Sequence, residues 1–217
     1  MIELFLVRHG KTVWNQEHRL QGARGNSELL EENIHHIDAL AARLKSEDFA
    51  AIYSSPLKRA FQTASRLAAD LNYQKPIQIA EALREIDFGV IEGKRDEELK
   101  PEYQEQVKFF FNEPEKYDQT VLKGESYLQA AQRTKMFVMK LLEIYPDHSK
   151  IVLVSHGGIL NVMINALLEI PLKDYRRHGG ITNVSLTKVD VLDDGSAKLV
   201  TFNNTEHLEN LEPTDTI

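Results

Sequence analysis

Arg8, His9 and Gly10 follow directly on the apolar run IELFLV at 2–7, and Lys11, Thr12 and Asn15 come close behind. A structural histidine needs one or two hydrogen-bond partners and no basic neighbours. A site for a doubly charged anion needs nearly all of these groups. The same grammar recurs twice. Ser54 and Ser55 end AAIYSS at 50–55, with Arg59 shortly after, and IVLVSHGG at 151–158 delivers Ser155, His156 and Gly157. Two imidazoles and two permanently cationic forks would be joined by unpaired N–H groups from helices opening after residues 55 and 157. That combination suits a phosphoryl group, whose oxygens take bidentate arginine contacts and whose charge must be held during transfer. Gly10 permits close backbone approach after the histidine, and Asn15 could orient an imidazole or a phosphate oxygen.

Two histidines admit metal ligation or covalent catalysis. The sequence has no HxH, no HExxH and no DxD cluster, and the neighbouring cations would repel a divalent ion, so no metal and no cofactor is expected. The adjacent His35 and His36 fall in an amphipathic helical stretch and read as surface. An imidazole held neutral by a backbone acceptor can instead attack phosphorus directly. The leaving alkoxide then needs a proton, and the stretch around ALREIDFGVIEG offers Glu81, Glu85, Asp87 and Glu92. A carboxyl beside a phosphate feels its negative charge and is pushed toward general-acid duty. Spacing leaves the choice among the four open.

These groups need elements to position them. The runs at 2–7 and 50–55 read as buried strands. PLKRAFQTASRLAADL places Leu57, Ala60, Ala64, Leu67, Ala68 and Leu71 at helical spacing, with Ser55 as N-cap and Pro56 in the first turn. IQIA at 77–80 reads as a third strand, and 83–93 has no clear period. The stretch 94–123 is polar with interspersed Tyr103, Phe109, Phe110, Phe111 and Tyr117, and reads as a partly helical cover. A helix follows over 125–144, ending before Pro146, and another runs from the glycines through Leu168. VSLTKVDV and AKLVTFN flank an Asp-Asp-Gly turn as a hairpin, and the acidic tail after Asn204 reads as peripheral. Strands alternating with crossover-length helices predict a three-layer α/β sandwich with a mostly parallel central sheet flanked by helices, plus the small inserted cover. Ligands in such folds gather at the carboxyl ends of strands. Each of the three polar stretches follows a predicted strand.

The 217 residues suit a single catalytic domain, 1–217, with 94–123 inserted as the cover. With 26 basic and 33 acidic residues the formal charge is -7, which disfavours nucleic acid and anionic membranes as partners. The absence of cysteine excludes disulfides, thiolate nucleophiles and Cys-ligated metal centres. IELFLV is too short for a signal-peptide core and no apolar run approaches membrane-spanning length, so the expected location is cytoplasmic. An exposed sheet edge or the cover could carry a homodimer contact.

RHGKTVWN at 8–15, LQG at 20–22, SSPLKRAFQTA at 54–64, LREIDFGVIEG at 83–93 and VSHGG at 154–158 occur in an order that resembles the histidine phosphatase superfamily, in its phosphoglycerate-mutase-like branch. The resemblance runs over essentially the whole chain. It implies that His9 is the phosphorylated nucleophile, and that Arg8, Arg59 and His156 line the phosphate pocket with Asn15 as a polar contact. It also implies Glu85 as acid and then base, Gln21 and Gly22 beside the rest of the substrate, and Gly157 at the phosphate. The chain departs from the family pattern at Asn26-Ser27-Glu28-Leu29-Leu30, at Asn33 where a helix-opening glycine is common, and at Ile91 in place of a frequent aromatic. The first two changes are expected to lie beyond the catalytic core, and the third to alter packing only. Glycolytic mutases carry a longer insertion rich in arginine and tyrosine, whereas 94–123 has Arg95 as its single arginine. A phosphomonoesterase acting on a small phosphorylated metabolite is therefore the expected activity, with a phosphoglycerate mutase as the alternative. An inactive phosphate-binding module is a third reading, although neither nucleophile, acid nor arginine is lost.

Overall fold

The computed structural model describes residues 1–209. Among these residues six strands form one sheet in the order β3-β2-β4-β1-β5-β6. They are β1 (Ile2–Arg8), β2 (Phe49–Ser54), β3 (Gln78–Ile79), β4 (Ser149–Ser155), β5 (Leu186–Val191) and β6 (Ala197–Asn204). β1, β2, β3 and β4 run parallel, and β5 runs antiparallel to both β1 and β6. The helices are α1 (Val13–Gln16), α2 (Ile34–Leu44), α3 (Lys58–Asp70), α4 (Pro101–Asn112), α5 (Gln119–Leu122), α6 (Tyr127–Ile144) and α7 (Gly157–Leu167). The architecture is the α/β sandwich expected, with a mostly parallel central sheet flanked by helices.

The alternation of side chains along a strand explains the layers. In β1, Phe5 and Val7 pack with Ile37, Leu40, Ala60, Ala64 and Leu67 of α2 and α3. Ile2, Leu4 and Leu6 point the other way, onto Val138, Leu141, Leu160, Met163 and Ile164 of α6 and α7. Both faces of the central strands are thus covered, which is why they read as continuous apolar runs rather than alternating ones. Strand register then fixes the site. Arg8 lies opposite Ser155 and Ser54 lies opposite Val154, so β1, β2 and β4 end side by side.

The segment 94–123 folds as α4 and α5 with short 3₁₀ turns at Asp96–Glu98 and Pro114–Lys116. Its anchor is Phe110, which is buried and stacks on Tyr127 with ring centroids 4.9 Å apart. Phe88 and Tyr117 meet the same ring edge-on at 4.9 and 5.2 Å, and the Arg176 guanidinium lies 4.9 Å from its centroid. The Phe109-Phe110-Phe111 run is therefore built around a packing residue.

Several elements differ from expectation. α3 opens at Lys58 with Leu57 at the cap position and no side-chain cap, because Ser55 is turned toward His156 instead. The third strand shrinks to Gln78–Ile79, since only Tyr53 and Ser54 pair with it. The hairpin begins at Leu186, not Val184, whose φ of 58° cannot continue a strand. α6 starts at Tyr127, where Ser126 and Gln129 form a capping box. The tail is not peripheral in its first part: His207 Nε2 lies 3.0 Å from the Val184 carbonyl, and Leu208 packs on the α2–α3 side of the core. The rest of the tail, 210–217, lies outside the described residues.

Truncating Phe110 to Ala should cost about 3–5 kcal/mol in urea denaturation, the usual cost of deleting a buried aromatic side chain. Leu128→Ala, on α6 but 67% exposed, should stay within about 0.5 kcal/mol of the parent.

Candidate active site

Arg8 and His9 leave the end of β1, Ser55 the end of β2, and His156 the end of β4. All are buried, as is Arg59 in the first turn of α3. The rings of His9 and His156 lie 5.0 Å apart, edge to face. His9 Nδ1 is 2.7 Å from the Gly10 carbonyl. A carbonyl can only accept, so Nδ1 carries the proton and Nε2 keeps its lone pair. Arg59 Nε donates to that lone pair at 3.2 Å. The other Arg59 nitrogens donate to the carbonyls of Gly25 (2.8 Å) and Gly22 (3.0 Å). Arg8 Nη1 donates to the Ile181 carbonyl at 2.6 Å. His156 Nε2 lies 2.7 Å from Ser55 Oγ, and its Nδ1 is buried with no partner among the described residues.

Burial holds both imidazoles well below the ordinary histidine range, and the charges of Arg59 and Arg8 push in the same direction. Burial also lowers the Arg59 guanidinium to about 10, against the opposing pull of Glu85 and Glu92. At neutral pH the site therefore holds two neutral rings under two cations, and an anion is the ligand this field attracts. Among the described residues no group of three or more His, Cys, Asp or Glu side chains is placed to hold a metal ion.

The four candidate carboxylates have different surroundings. Glu81 pairs with Arg84 at 3.0 Å on the surface. Asp87 accepts from the Arg24 guanidinium at 2.8 Å and from Gly89 N at 2.7 Å. Glu92 accepts from the backbone N–H of Arg24, Gly25 and Phe88, so it braces the 22–25 loop. Glu85 is buried and crosses to the opening of α7, accepting from Gly158 N at 3.0 Å, Ile159 N at 2.8 Å and its own neighbour Ile86 N at 2.9 Å. A Cβ on Gly158 would come within 2.8 Å of Glu85 Oε1, so the glycine admits the carboxylate. Spacing could not separate these four, because the difference lies in what each meets across the fold.

The remaining expected site residues take more structural positions. Asn15 is buried, and its Oδ1 accepts from Thr12 N at 3.1 Å in a capping box that opens α1. Gln21 Oε1 accepts from Thr12 Oγ1 at 2.9 Å, while its Nε2 is buried without a partner among the described residues. Gly22 supplies a carbonyl to Arg59, and a Cβ there would meet Glu92 Oε1 at 2.4 Å and the Ile86 carbonyl at 2.6 Å. Its place is a close backbone crossing. Gly157 lies against the Arg8 guanidinium, where a Cβ would meet Nε at an ordinary contact distance of 3.4 Å. His35 is exposed, and His36 is half-exposed with Nε2 3.1 Å from the Glu209 carbonyl.

The departures at 26–33 do not lie beyond the core. Val13 N donates to the Glu28 carbonyl at 3.0 Å, Leu30 N donates to the Lys11 carbonyl at 2.9 Å, and Thr12 bridges Leu29. Asn33 is buried, and its Oδ1 accepts from Lys11 N at 2.8 Å. The segment therefore clamps the loop that follows His9. Sequence reasoning also missed Thr63, whose Oγ1 accepts from Gly10 N at 3.0 Å, and Asn183, whose Nδ2 donates to the His9 carbonyl at 2.8 Å. Thr63 falls on the buried stripe of α3, the one signal that could have pointed inward. Asn183 sits in a loop and carries no such signal.

The chain belongs to the histidine phosphatase superfamily (branch 1), whose family model matches residues 4–205. It is 34% identical over 190 residues to "Probable phosphoglycerate mutase GpmB" of Yersinia pestis, an alignment covering 88% of this chain and 85% of that protein. Among solved structures it is similar to Bacillus stearothermophilus YhfR (TM-score 0.87, 29% identity, covering 96% of this chain and 100% of that one). It is also similar to a phosphoserine phosphatase from Entamoeba histolytica in complex with phosphoserine (TM-score 0.82, 31% identity, 96% and 100% coverage). A mycobacterial glucosyl-3-phosphoglycerate phosphatase matches at TM-score 0.83 and 25% identity, with 94% and 99% coverage. The superfamily thus joins phosphatases with a relative named as a mutase. Among the described residues no helix is long and apolar enough to cross a membrane.

Two neutral buried histidines make stability depend on pH with a definite sign. The unfolded chain binds their protons near the ordinary value of about 6.5, whereas the folded site resists them. Stability should therefore fall as pH drops below that value, by up to about 1.4 kcal/mol per pH unit for each ring. His156→Asn should flatten the slope of unfolding free energy between about pH 6.5 and 5 relative to the parent; an equal slope would contradict the neutral assignment. Asn33→Ala should cost about 1–3 kcal/mol by orphaning Lys11 N, read in the same denaturation assay.

Proposed function

We propose that the protein is a phosphomonoesterase that works through a phosphohistidine at His9. The observation that carries this reading is the bond from His9 Nδ1–H to the Gly10 carbonyl at 2.7 Å, which leaves a neutral Nε2 lone pair among two buried guanidiniums. In the first step Nε2 attacks phosphorus, the P–O bond to the alcohol breaks, and the Glu85 carboxyl gives its proton to the departing oxygen. Arg8, Arg59 and His156 hold the equatorial oxygens, and Asn15 Nδ2 and the backbone at Gly157 offer further donors. In the second step water attacks phosphorus, Glu85 takes its proton, and the P–N bond breaks to return His9 and inorganic phosphate.

The alcohol half extends toward a cavity of about 390 Å³ beside Glu85, lined by Ala23, Arg84, Asp87, Glu125 and Arg133 among others. Both arginines of its lining are paired: Arg133 forks Glu125 at 2.6 and 2.8 Å, and Arg84 pairs with Glu81. Small phosphorylated metabolites fit this space, and the phosphatases among the structural relatives support a hydrolase acting on them.

The mutase reading has one specific support, the 34% identity to the protein named as a phosphoglycerate mutase. Against it, the cover offers a single arginine, Arg95, for a second acidic group. Arg95 Nε is spent on the Glu17 carbonyl at 3.0 Å, and Lys116 is paired with Glu113. Steady-state hydrolysis of an aryl phosphate should be efficient, with little interconversion of 2- and 3-phosphoglycerate. Efficient interconversion with little hydrolysis would reverse the assignment.

His9→Ala should abolish phosphoenzyme trapped in rapid-quench experiments and nearly all turnover. Glu85→Gln should slow esters of poor leaving groups by about 10²–10⁴-fold while sparing activated aryl phosphates, which need little protonation. Equal losses for both ester classes would make Glu85 structural.

A further inference from the structure

We propose that Ser55 is a positioning residue that fixes the neutral tautomer of His156, so that the ring presents Nδ1–H to the transferring phosphoryl group. The part concerning phosphoryl transfer rests on the phosphohistidine reading; the tautomer itself does not.

Hydrogen-bond accounting beside a bound anion, which can accept a hydrogen but cannot offer one, selects the tautomer. Ser55 and His156 are both fully buried, so each polar hydrogen and lone pair must be satisfied within the fold or by a ligand. Ser55 Oγ already accepts from Leu57 N at 3.3 Å and lies 2.7 Å from His156 Nε2. A hydroxyl has one hydrogen to give. If Nε2 carried the ring proton and donated it to Ser55, the serine hydrogen would have no acceptor among the described residues. Nδ1 would then be a bare, buried lone pair. With the proton on Nδ1, Ser55 donates its one hydrogen to Nε2 and accepts from Leu57, so the serine hydrogen has its acceptor. The one polar hydrogen left over is Nδ1–H, which has no partner among the described residues and faces a bound anion as a donor.

That leftover donor is what an anion site needs. It lies on a ring whose centroid is 5.0 Å from that of His9, in the field of Arg59 and Arg8. His9 and His156 would then hold the same tautomer and present opposite nitrogens of it. His9 shows the anion a lone pair for attack, and His156 shows it an N–H without adding a third positive charge. This also accounts for Ser55 leaving the cap position of α3, where Leu57 stands without a side-chain cap. The serine is committed to the histidine.

The test reads the ring nitrogens of the ¹⁵N-histidine-labelled protein, with His156 assigned by its loss in His156→Gln. In the parent, Nδ1 should give a protonated, pyrrole-type signal and Nε2 a pyridine-type one, and saturating inorganic phosphate should move Nδ1. Ser55→Ala should replace these by averaged signals and lower kcat at least about tenfold, with a smaller change in KM. Ser55→Thr keeps the hydroxyl and should restore both. A pyrrole-type Nε2 in the parent, or an unchanged His156 spectrum in Ser55→Ala, would overturn the proposal. If Ser55→Ala does not fold, the parent and Ser55→Thr spectra decide. Should the spectra agree while no phosphate ester yields a phosphoenzyme, the tautomer stands and the phosphotransfer reading fails.

Discussion

Two guanidiniums and two imidazoles can share a dry pocket only while the imidazoles stay uncharged. Arg8, Arg59, His9 and His156 are all buried, so any added proton would face two cations at low dielectric. The same field that forbids the proton favours a multiply charged anion. Neutrality also gives each ring one lone pair and one N–H, and the protein must then decide which of them meets the ligand. The Gly10 carbonyl makes that choice for His9.

Holding such a site together is a backbone problem before it is a side-chain problem. Every peptide group around His9 is tied: His9 N donates to the Ser155 carbonyl, Gly10 N to Thr63, and Asn183 to the His9 carbonyl. Val184 donates to the Arg8 carbonyl from a left-handed backbone conformation with φ 58°, costly for a β-branched residue and sustained by its burial. Arg59 has a double role, since two of its nitrogens staple the 22–25 loop while the third meets His9. The loop in turn hangs on Glu92. The pocket and the 22–25 loop beside it are therefore one connected network, which is how residues from six separate stretches of sequence hold a single geometry.

Much of this was legible in the chain. Apolar runs ending abruptly in Arg-His-Gly, Ser-Ser and Ser-His-Gly mark strand ends, and parallel pairing brings strand ends to one edge. The rest depended on contacts that leave no local trace. Glu85 stands apart from Glu81, Asp87 and Glu92 only because it reaches the first turn of α7. Ser55 fits the pattern of a helix cap, yet turns to a histidine 101 residues away. Asn33 looked remote because twenty-two residues separate it from Lys11, whose N–H it accepts. Gly22 suggested a substrate contact, whereas its missing side chain makes room for Glu92 and the Ile86 carbonyl.

The central claim is that His9 Nε2 is the atom that takes phosphorus. Vanadate mimics a phosphoryl group in the act of transfer, so a crystal structure with vanadate tests the claim most directly. Vanadium should bond to His9 Nε2, with Arg8, Arg59 and His156 on its equatorial oxygens and Glu85 at the apical oxygen opposite the ring. Vanadate bonded to any other residue, or held in the pocket with His9 turned away, would contradict it.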